Sequence, residues 1–260
     1  MASVRWDPSR YLQYADERGR PFVDLVARIP SDAQSVVDLG CGPGQLTPIL
    51  RERWPTARIT GLDSSPEMVE SARRDNEDRL TNYAVVDASQ WEPREPVDVL
   101  VSNAMLQWIP DHADLLLPWT EHIAPGGTLA FQVPGNFDAP SHRLLWETAA
   151  RPAYAPFVAD LGPRAAALDP ADYLARLSRP GWEVDAWETT YLHVLHGEDP
   201  VFEWISGTGA RPVLQALPDG IREKFVADYQ AELRAAYPRQ EFGTVLPFRR
   251  IFVVAHRTGL

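Results

Sequence analysis

The first half of the chain alternates short apolar runs with segments of helix length. The runs at 35–39, 57–62, 83–86, 97–101 and 128–133 are continuous and rich in β-branched residues, as strands covered on both faces must be. Strands and helices in turn predict a parallel sheet with helices on each side. Ahead of the first run, Pro8-Ser9 and Arg20-Pro21 mark the starts of two helices, because the missing N–H of proline is tolerated in a first helical turn. The second carries Phe22, Leu25, Val26 and Ile29 at helical spacing and is expected to pack across the entrance of the sheet.

Beyond Val133 the pattern shifts to Pro, Gly and Asn, then to helical stretches at 141–150 and 170–177. Strand alternation returns at 182–195, a second helical stretch covers 200–237, and a last strand is expected at 248–255. In an open α/β sheet the loops at the carboxyl ends of strands surround the ligand crevice, so such insertions read as a lid. With no internal repeat, low-complexity tract or linker, the chain is read as one domain over 1–260 with helical cap inserts at about 137–180 and 197–245.

Composition narrows the classes. A chain of 260 residues, 45% hydrophobic and 23% charged, excludes disorder, collagen and small disulfide scaffolds. Its formal charge of −11 repels phosphate backbones and anionic lipid, so neither nucleic acid nor membrane is an expected partner. Lys224 is the one lysine beside 24 arginines, a bias that a GC-rich genome produces without functional cause. Any anion site must still be built from guanidinium groups, which grip carboxylates in a fork. Cys41 is the single cysteine, which rules out an internal disulfide and a cysteine-based metal cluster; no metal is expected. Without a signal-like or membrane-length apolar run, the expected location is the cytoplasm.

The sharpest local signal is Val36-Val37-Asp38-Leu39-Gly40-Cys41-Gly42-Pro43-Gly44, a buried strand running into a glycine turn and a helix expected near Gln45. A dinucleotide fingerprint wants glycine at position 45, where the chain has glutamine, and calls for no acid two residues before the first glycine. Asp63 follows 25 residues after Asp38, at a strand tip where an acid accepts hydrogen bonds from ribose hydroxyls. With Ser64 and Ser65 it also looks like a cap for a helix starting at Pro66, and the two readings are compatible. Asp87-Ala88 closes the third strand, where a simple turn acid is the alternative reading, and Asn103 closes the fourth in Ser102-Asn103-Ala104-Met105-Leu106-Gln107-Trp108.

The acid-x-Gly-x-Gly-x-Gly spacing resembles motif I of the class I S-adenosylmethionine-dependent methyltransferases. That resemblance implies a Rossmann-like α/β fold, a seven-stranded mostly parallel sheet with its last strand antiparallel and a helical cap. It implies S-adenosyl-L-methionine as cofactor, with Asp38, Gly40, Cys41, Gly42 and Gly44 around its methionine and ribose, Asp63 and Ser64 at the ribose, and Asp87 and Ala88 at the adenine. Asn103 falls at the methionine end, and Arg20 and Tyr11 close over the cofactor and meet its carboxylate. The Asn-Pro-Pro-Tyr type motif of DNA and protein amide methylases is absent, which disfavours nitrogen as the nucleophile.

Later stretches are more specific: Trp6-Asp7-Pro8-Ser9-Arg10-Tyr11-Leu12, Leu106-Gln107-Trp108-Ile109-Pro110-Asp111-His112, Gln132-Val133-Pro134-Gly135-Asn136-Phe137, Val184-Asp185-Ala186-Trp187 and Pro247-Phe248-Arg249-Arg250. They are similar to the trans-aconitate 2-methyltransferase subgroup. The resemblance implies methyl transfer to one carboxylate of trans-aconitate. An acid with an ordinary pKa of about 4 is already ionised near neutral pH, so no general base and no catalytic residue is named. Trp108, Ser141, His142, Arg143, Tyr191, His193, Arg249 and Arg250 are the candidates for binding this anion. Arg249 and Arg250 are neighbours on a strand, so one is expected to reach the site and the other to be solvated or to pair on the surface. A helix-surface role for Arg143 and core packing for Tyr191 and His193 remain the plainer readings. Another small polycarboxylate, a phenolic acceptor or a non-catalytic S-adenosylmethionine-binding protein are the competing functions, and oligomeric state is left unassigned.

Overall fold

The structure, a computed structural model, describes residues 15–30, 32–162 and 167–259. Its strands are β1 (Ser35–Leu39), β2 (Arg58–Asp63), β3 (Thr81–Val85), β4 (Val97–Asn103), β5 (Ile123–Pro134), β6 (Trp182–Leu195) and β7 (Thr244–Arg257). Among the described residues the helices longer than one turn are α1 (Ala15–Val26), α2 (Thr47–Arg53), α3 (Pro66–Arg74), α4 (Ala113–Glu121), α5 (Pro140–Ala149), α6 (Pro170–Leu177), α7 (Pro200–Ser206), α8 (Arg211–Ala216) and α9 (Asp219–Ala236). None of them is long and apolar enough to cross a membrane.

One seven-stranded sheet runs in the order β3-β2-β1-β4-β5-β7-β6. The pairs β1–β2, β2–β3, β1–β4 and β4–β5 are parallel, and β7 lies antiparallel to β5 from Thr128 opposite His256 to Pro134 opposite Arg250. The sheet is therefore mostly parallel with its last strand reversed, as expected. Strand order turns back between β1 and β4, so the connections leaving their carboxyl ends diverge and open a crevice there.

The chain forms two compact units. The first holds residues 15–135, 167–189 and 250–259. One face of its sheet presents Val37, Leu39, Leu100, Leu129, Phe131, Val133, Ile251 and Val253 to Leu116 and Trp119 of α4 and to Tyr173 and Leu177 of α6. The helix at 170–177, expected within the first cap insert, thus packs with the sheet. Its Tyr173 is completely buried, and the ring fixes the stretch by polar contacts as well as apolar ones. The Tyr173 hydroxyl lies 2.6 Å from His112 Nε2 and accepts from Leu168 N at 3.3 Å. Burial holds the His112 imidazole below its usual pKa.

The last strand starts at Thr244, ahead of 248, and the helical stretch over 200–237 is three helices; three further elements depart from the sequence reading. Helix α1 starts at Ala15 and carries Pro21 in its interior, where a start was expected. The lost hydrogen bond is outweighed by burial of Phe22, Leu25 and Val26, each 3% exposed or less. The helix expected at Pro8-Ser9 lies outside the described residues. Helix α2 begins at Thr47, two residues beyond Gln45, because the glycine turn continues to Leu46. Strand β5 begins at Ile123, upstream of 128, with a register shift against β4 between Val97 and Val99 where Gly126 and Gly127 stand.

The second unit holds residues 136–162 and 190–249 of the described chain. Leu145, Tyr154, Trp204, Val213, Phe225, Tyr229 and Leu246 form its core. Tyr237 Oη accepts from Ser141 N at 3.0 Å, satisfying one of the backbone donors that a helix start leaves open. In the sheet unit, Tyr173→Phe should cost about 1–3 kcal/mol by removing the hydroxyl between buried His112 and Leu168 N. A lower denaturation midpoint in urea, with unchanged slope, is the expected reading; an unchanged midpoint would show the contact to be idle.

Candidate functional site

The carboxyl end of β1 is held from both sides. Ser102 Oγ of β4 donates to Leu39 O at 2.8 Å, and Gly40 N and Cys41 N both donate to Leu62 O of β2, at 2.7 and 3.0 Å. The backbone then turns through left-handed conformations at Gly40 (φ +81°) and Gly44 (φ +79°), which residues with a Cβ rarely adopt. Space is also denied: a Cβ on Gly40 would run into the Met105 side chain, and one on Gly44 would lie 2.8 Å from Tyr83 Oη. Tyr83 Oη in turn donates to Thr47 Oγ1 at 3.0 Å in the first turn of α2.

Asp63 ties this loop to the next strand. Its Oδ2 accepts from Gly42 N and its Oδ1 from Ser65 N, both at 2.9 Å. Ser65 Oγ then accepts from Met68 N at 3.3 Å and caps α3. With Ser64 N as a third donor, the carboxylate keeps one lone pair free, which leaves room for a hydroxyl donor. Asp38 is 3% exposed, and its carboxyl is pushed up to about 7, first by burial and then by the charge of Asp63. Asp63 is itself raised by burial, against the pull of the N–H groups of Ser65, Gly42 and Ser64. Burial and the two acids push the Cys41 thiol far up, so it is no nucleophile.

This end of the crevice asks for positive charge and for donors. Gln45 Oε1, Asn103 Oδ1 and Gln107 Oε1 are buried acceptors without a hydrogen-bond partner. Two close acids oppose a pyrophosphate and favour a cation. S-adenosylmethionine, with its sulfonium, ammonium and ribose hydroxyls, fits this set of acceptors; a dinucleotide does not.

Strand register carries the site further along the same face. Asp38 pairs with Gly61 and Val101, Asp63 and Asn103 lie two residues on, Asn103 pairs with Gln132, and Pro134 with Arg250. Paired residues share a face and alternate residues return to it, so Asp63, Asp38, Asn103, Gln132 and Arg250 form one polar row opposite the apolar core face. Arg250 is 5% exposed, and its Nη1 donates to Gln132 Oε1 at 3.2 Å. Of the two neighbouring arginines, Arg250 is the buried one and Arg249 is half-buried in the other unit. Ala104, next to Asn103, sits at φ +53°, a conformation costing roughly 1–3 kcal/mol. Its N donates to Gln132 O at 2.8 Å and its O accepts from Gln107 Nε2 at 2.5 Å, and the turn sets Met105 against Gly40.

The remaining expected residues divide as follows. Ser64 and Asp87 are exposed, Ala88 is half-buried, and Asp87 Oδ1 accepts from Ser89 N at 2.9 Å and Ser89 Oγ at 2.7 Å as a turn cap. Arg20 is exposed on α1, Trp108 is half-buried in a single turn, and Tyr11 lies outside the described residues. In the second unit, Arg143 is exposed and paired with Glu147 at 2.7 Å, the helix-surface arrangement. Ser141 is buried, and His142 packs edge-on to Phe137 with its Nδ1 3.3 Å from Ser141 Oγ. Tyr191 and His193 are both buried, with His193 stacked on Trp204 at 4.8 Å between ring centroids. Gln45, Gln107 and Gln132 were not among the candidates. Gln132 had a signal: it is the one polar side chain in the run Leu129-Ala130-Phe131-Gln132-Val133.

The comparisons agree with this geometry. Residues 11–179 match the methyltransferase domain family, and the chain belongs to it. The similarity extends to full length. A Streptomyces avermitilis protein named trans-aconitate 2-methyltransferase is 54% identical, covering 97% of each chain. One of the same name from Mycobacterium sp. strain KMS is 50% identical, covering 98% of this chain and all of its own. Among solved structures, the plantazolicin methyltransferase BpumL, in complex with a pentazolic desmethylPZN analog and SAH, superposes with a TM-score of 0.55 at 13% identity, covering 96% of this chain and 90% of that one. That likeness is one of fold.

Asp38 gives this site a pH signature. Its folded pKa of about 7 stands above the unfolded value of about 3.9, so stability of the cofactor-free protein falls as pH rises between them. Asp38→Asn should therefore raise the melting temperature at pH 8, by a free energy on the order of a few kcal/mol, with the gain vanishing towards pH ~4. Equal gains at both pH values would mean that the carboxyl does not titrate as argued.

Proposed function

We propose that the protein transfers the methyl group of S-adenosylmethionine to one carboxylate of trans-aconitate, releasing S-adenosylhomocysteine and the monomethyl ester. The observation that carries this reading is the order of charge along one sheet face: the buried Asp38 and half-buried Asp63 at the glycine loop, amides beyond, and the buried guanidinium of Arg250 at the far end. A cationic donor and an anionic acceptor sort themselves along that gradient. The substrate is supported by the names of relatives at 54% and 50% identity over nearly the whole chain.

Bound S-adenosylmethionine supplies an electrophilic methyl on a sulfonium. The chain holds it with the glycine loop, with Asp63 at the ribose, Asp38 and Asn103 towards the methionine end, Asp87 and Ala88 towards the adenine, and Arg20 and Tyr11 for its carboxylate. The acceptor arrives ionised, so no residue has to remove a proton. What the protein contributes is orientation of one oxygen in line with the methyl and exclusion of water, effects worth up to roughly 7–11 kcal/mol when alignment is good. Arg250 anchors the acceptor, and Tyr191 and His193 act in binding it. The whole chain works as one catalytic domain on a small anion, and a formal charge of −11 speaks against nucleic acid or an anionic membrane as a partner; we place it in the cytoplasm, where its single cysteine needs no disulfide partner.

Purified protein with S-adenosylmethionine and trans-aconitate should release S-adenosylhomocysteine and give one product carrying a single added methyl by mass spectrometry. Arg250→Ala should raise KM for trans-aconitate by about 10- to 100-fold, the loss of a charged hydrogen bond, while S-adenosylhomocysteine binding stays within a few-fold. Cofactor binding without turnover would retire this substrate. At saturation kcat should be flat from pH 7 to about 9, and Tyr191→Phe and His193→Ala should weaken acceptor binding with kcat retained; a kcat that climbs with pH, or is abolished in either variant, would point to a phenolic acceptor that needs a base.

A further inference from the structure

Gln132 is completely buried in the middle of β5, where an amide is costly unless both of its ends are engaged. Only one end is. Arg250 Nη1 donates to its Oε1 at 3.2 Å, whereas its Nε2 has no hydrogen-bond partner. The orientation follows from chemistry: a guanidinium has donors only, so the amide must turn its oxygen to Arg250 and its N–H groups away. The neighbouring amide on the same face, Asn103, is left with an open acceptor at Oδ1. The pair thus offers a donor next to the arginine and an acceptor next to the acids.

We propose that Gln132 Nε2 and the Arg250 guanidinium together grip one carboxylate of the acceptor, and that this carboxylate is not the one methylated. The proposal rests on the carboxyl-methyltransferase reading above. Hydrogen bonds to a carboxylate stabilise its charged form and lower its basicity, so a carboxylate held by an amide and a guanidinium is a poor nucleophile but a good handle. The acceptor must therefore carry at least two carboxylates, one held and one free to attack. A neutral acceptor would leave the buried Gln132 donor unmet and be rejected on that ground.

The test uses Gln132→Met, which removes the donor at similar volume, and Gln132→Glu, which replaces it with a negative charge. With trans-aconitate, KM should rise about 10-fold in the first and ~100-fold in the second, with kcat and the S-adenosylhomocysteine Kd each within about threefold. Acrylate, with one carboxylate, should not be methylated by the wild type. An unchanged KM in either folded variant overturns the proposal, as does methylation of acrylate. Weakened S-adenosylhomocysteine binding with an unchanged acceptor KM also overturns it, assigning Gln132 to the carboxylate of the cofactor. Should both Gln132 variants fail to fold, Arg250→Lys takes their place: it keeps the charge but loses the fork, and the same rise in KM is expected. If the wild type does not turn over trans-aconitate, thermal shifts with S-adenosylhomocysteine plus citrate, succinate or fumarate separate the two failures. A shift abolished by Gln132→Glu supports the clamp and retires only trans-aconitate, and no shift with any of these acids overturns both.

Discussion

The bridge made by Asp63 is the interaction on which the site depends. One carboxylate at the tip of β2 accepts from Gly42 in the glycine loop and from Ser65 at the start of α3. It therefore fixes the exit of β1 and the entrance to the next helix at once. A glycine loop on its own has too much backbone freedom to hold a shape. Asp63 on one side and Leu62 O on the other pin it through the N–H groups of Gly42, Gly40 and Cys41. The cost of ordering it is met in folding, which leaves more binding energy for the cofactor.

The same carboxylate sets the electrostatics. Together with burial, which acts first, its charge raises the pKa of Asp38 beside it, so a cation between the two acids is favoured. A protein tuned only for stability would have an amide at 38, and the acid there is intelligible as a binding feature. Further along the sheet face lies a charge of the opposite sign, the buried guanidinium of Arg250. Between them stand Asn103 and Gln132, with one open acceptor and one open donor. The sheet face thus changes from acidic to basic across five strands.

The apolar patterning in the chain was enough to place the strands, because a strand buried on both faces must be continuously apolar and can hardly be anything else. Asp38, Gly40, Gly44 and Asp63 were equally legible. Their spacing is local, and a turn that needs left-handed backbone and room for a neighbour leaves glycine as the only choice. Pro21 shows the limit of local rules: proline favours a helix start, yet burial of Phe22, Leu25 and Val26 carried the helix through it.

What only the tertiary structure decided is which distant residues meet. The antiparallel register of β7 on β5 places Arg250 on the face of Gln132, 118 positions away in sequence. It also resolves Arg250 from Arg249, which period-two alternation had put on opposite faces without saying which was which. The sequence determined the elements and the cofactor loop because both follow from contacts between near neighbours. The polar pair at the far end of the sheet face waited for the fold, since Gln132 and Arg250 meet only once two strands far apart in the chain lie side by side.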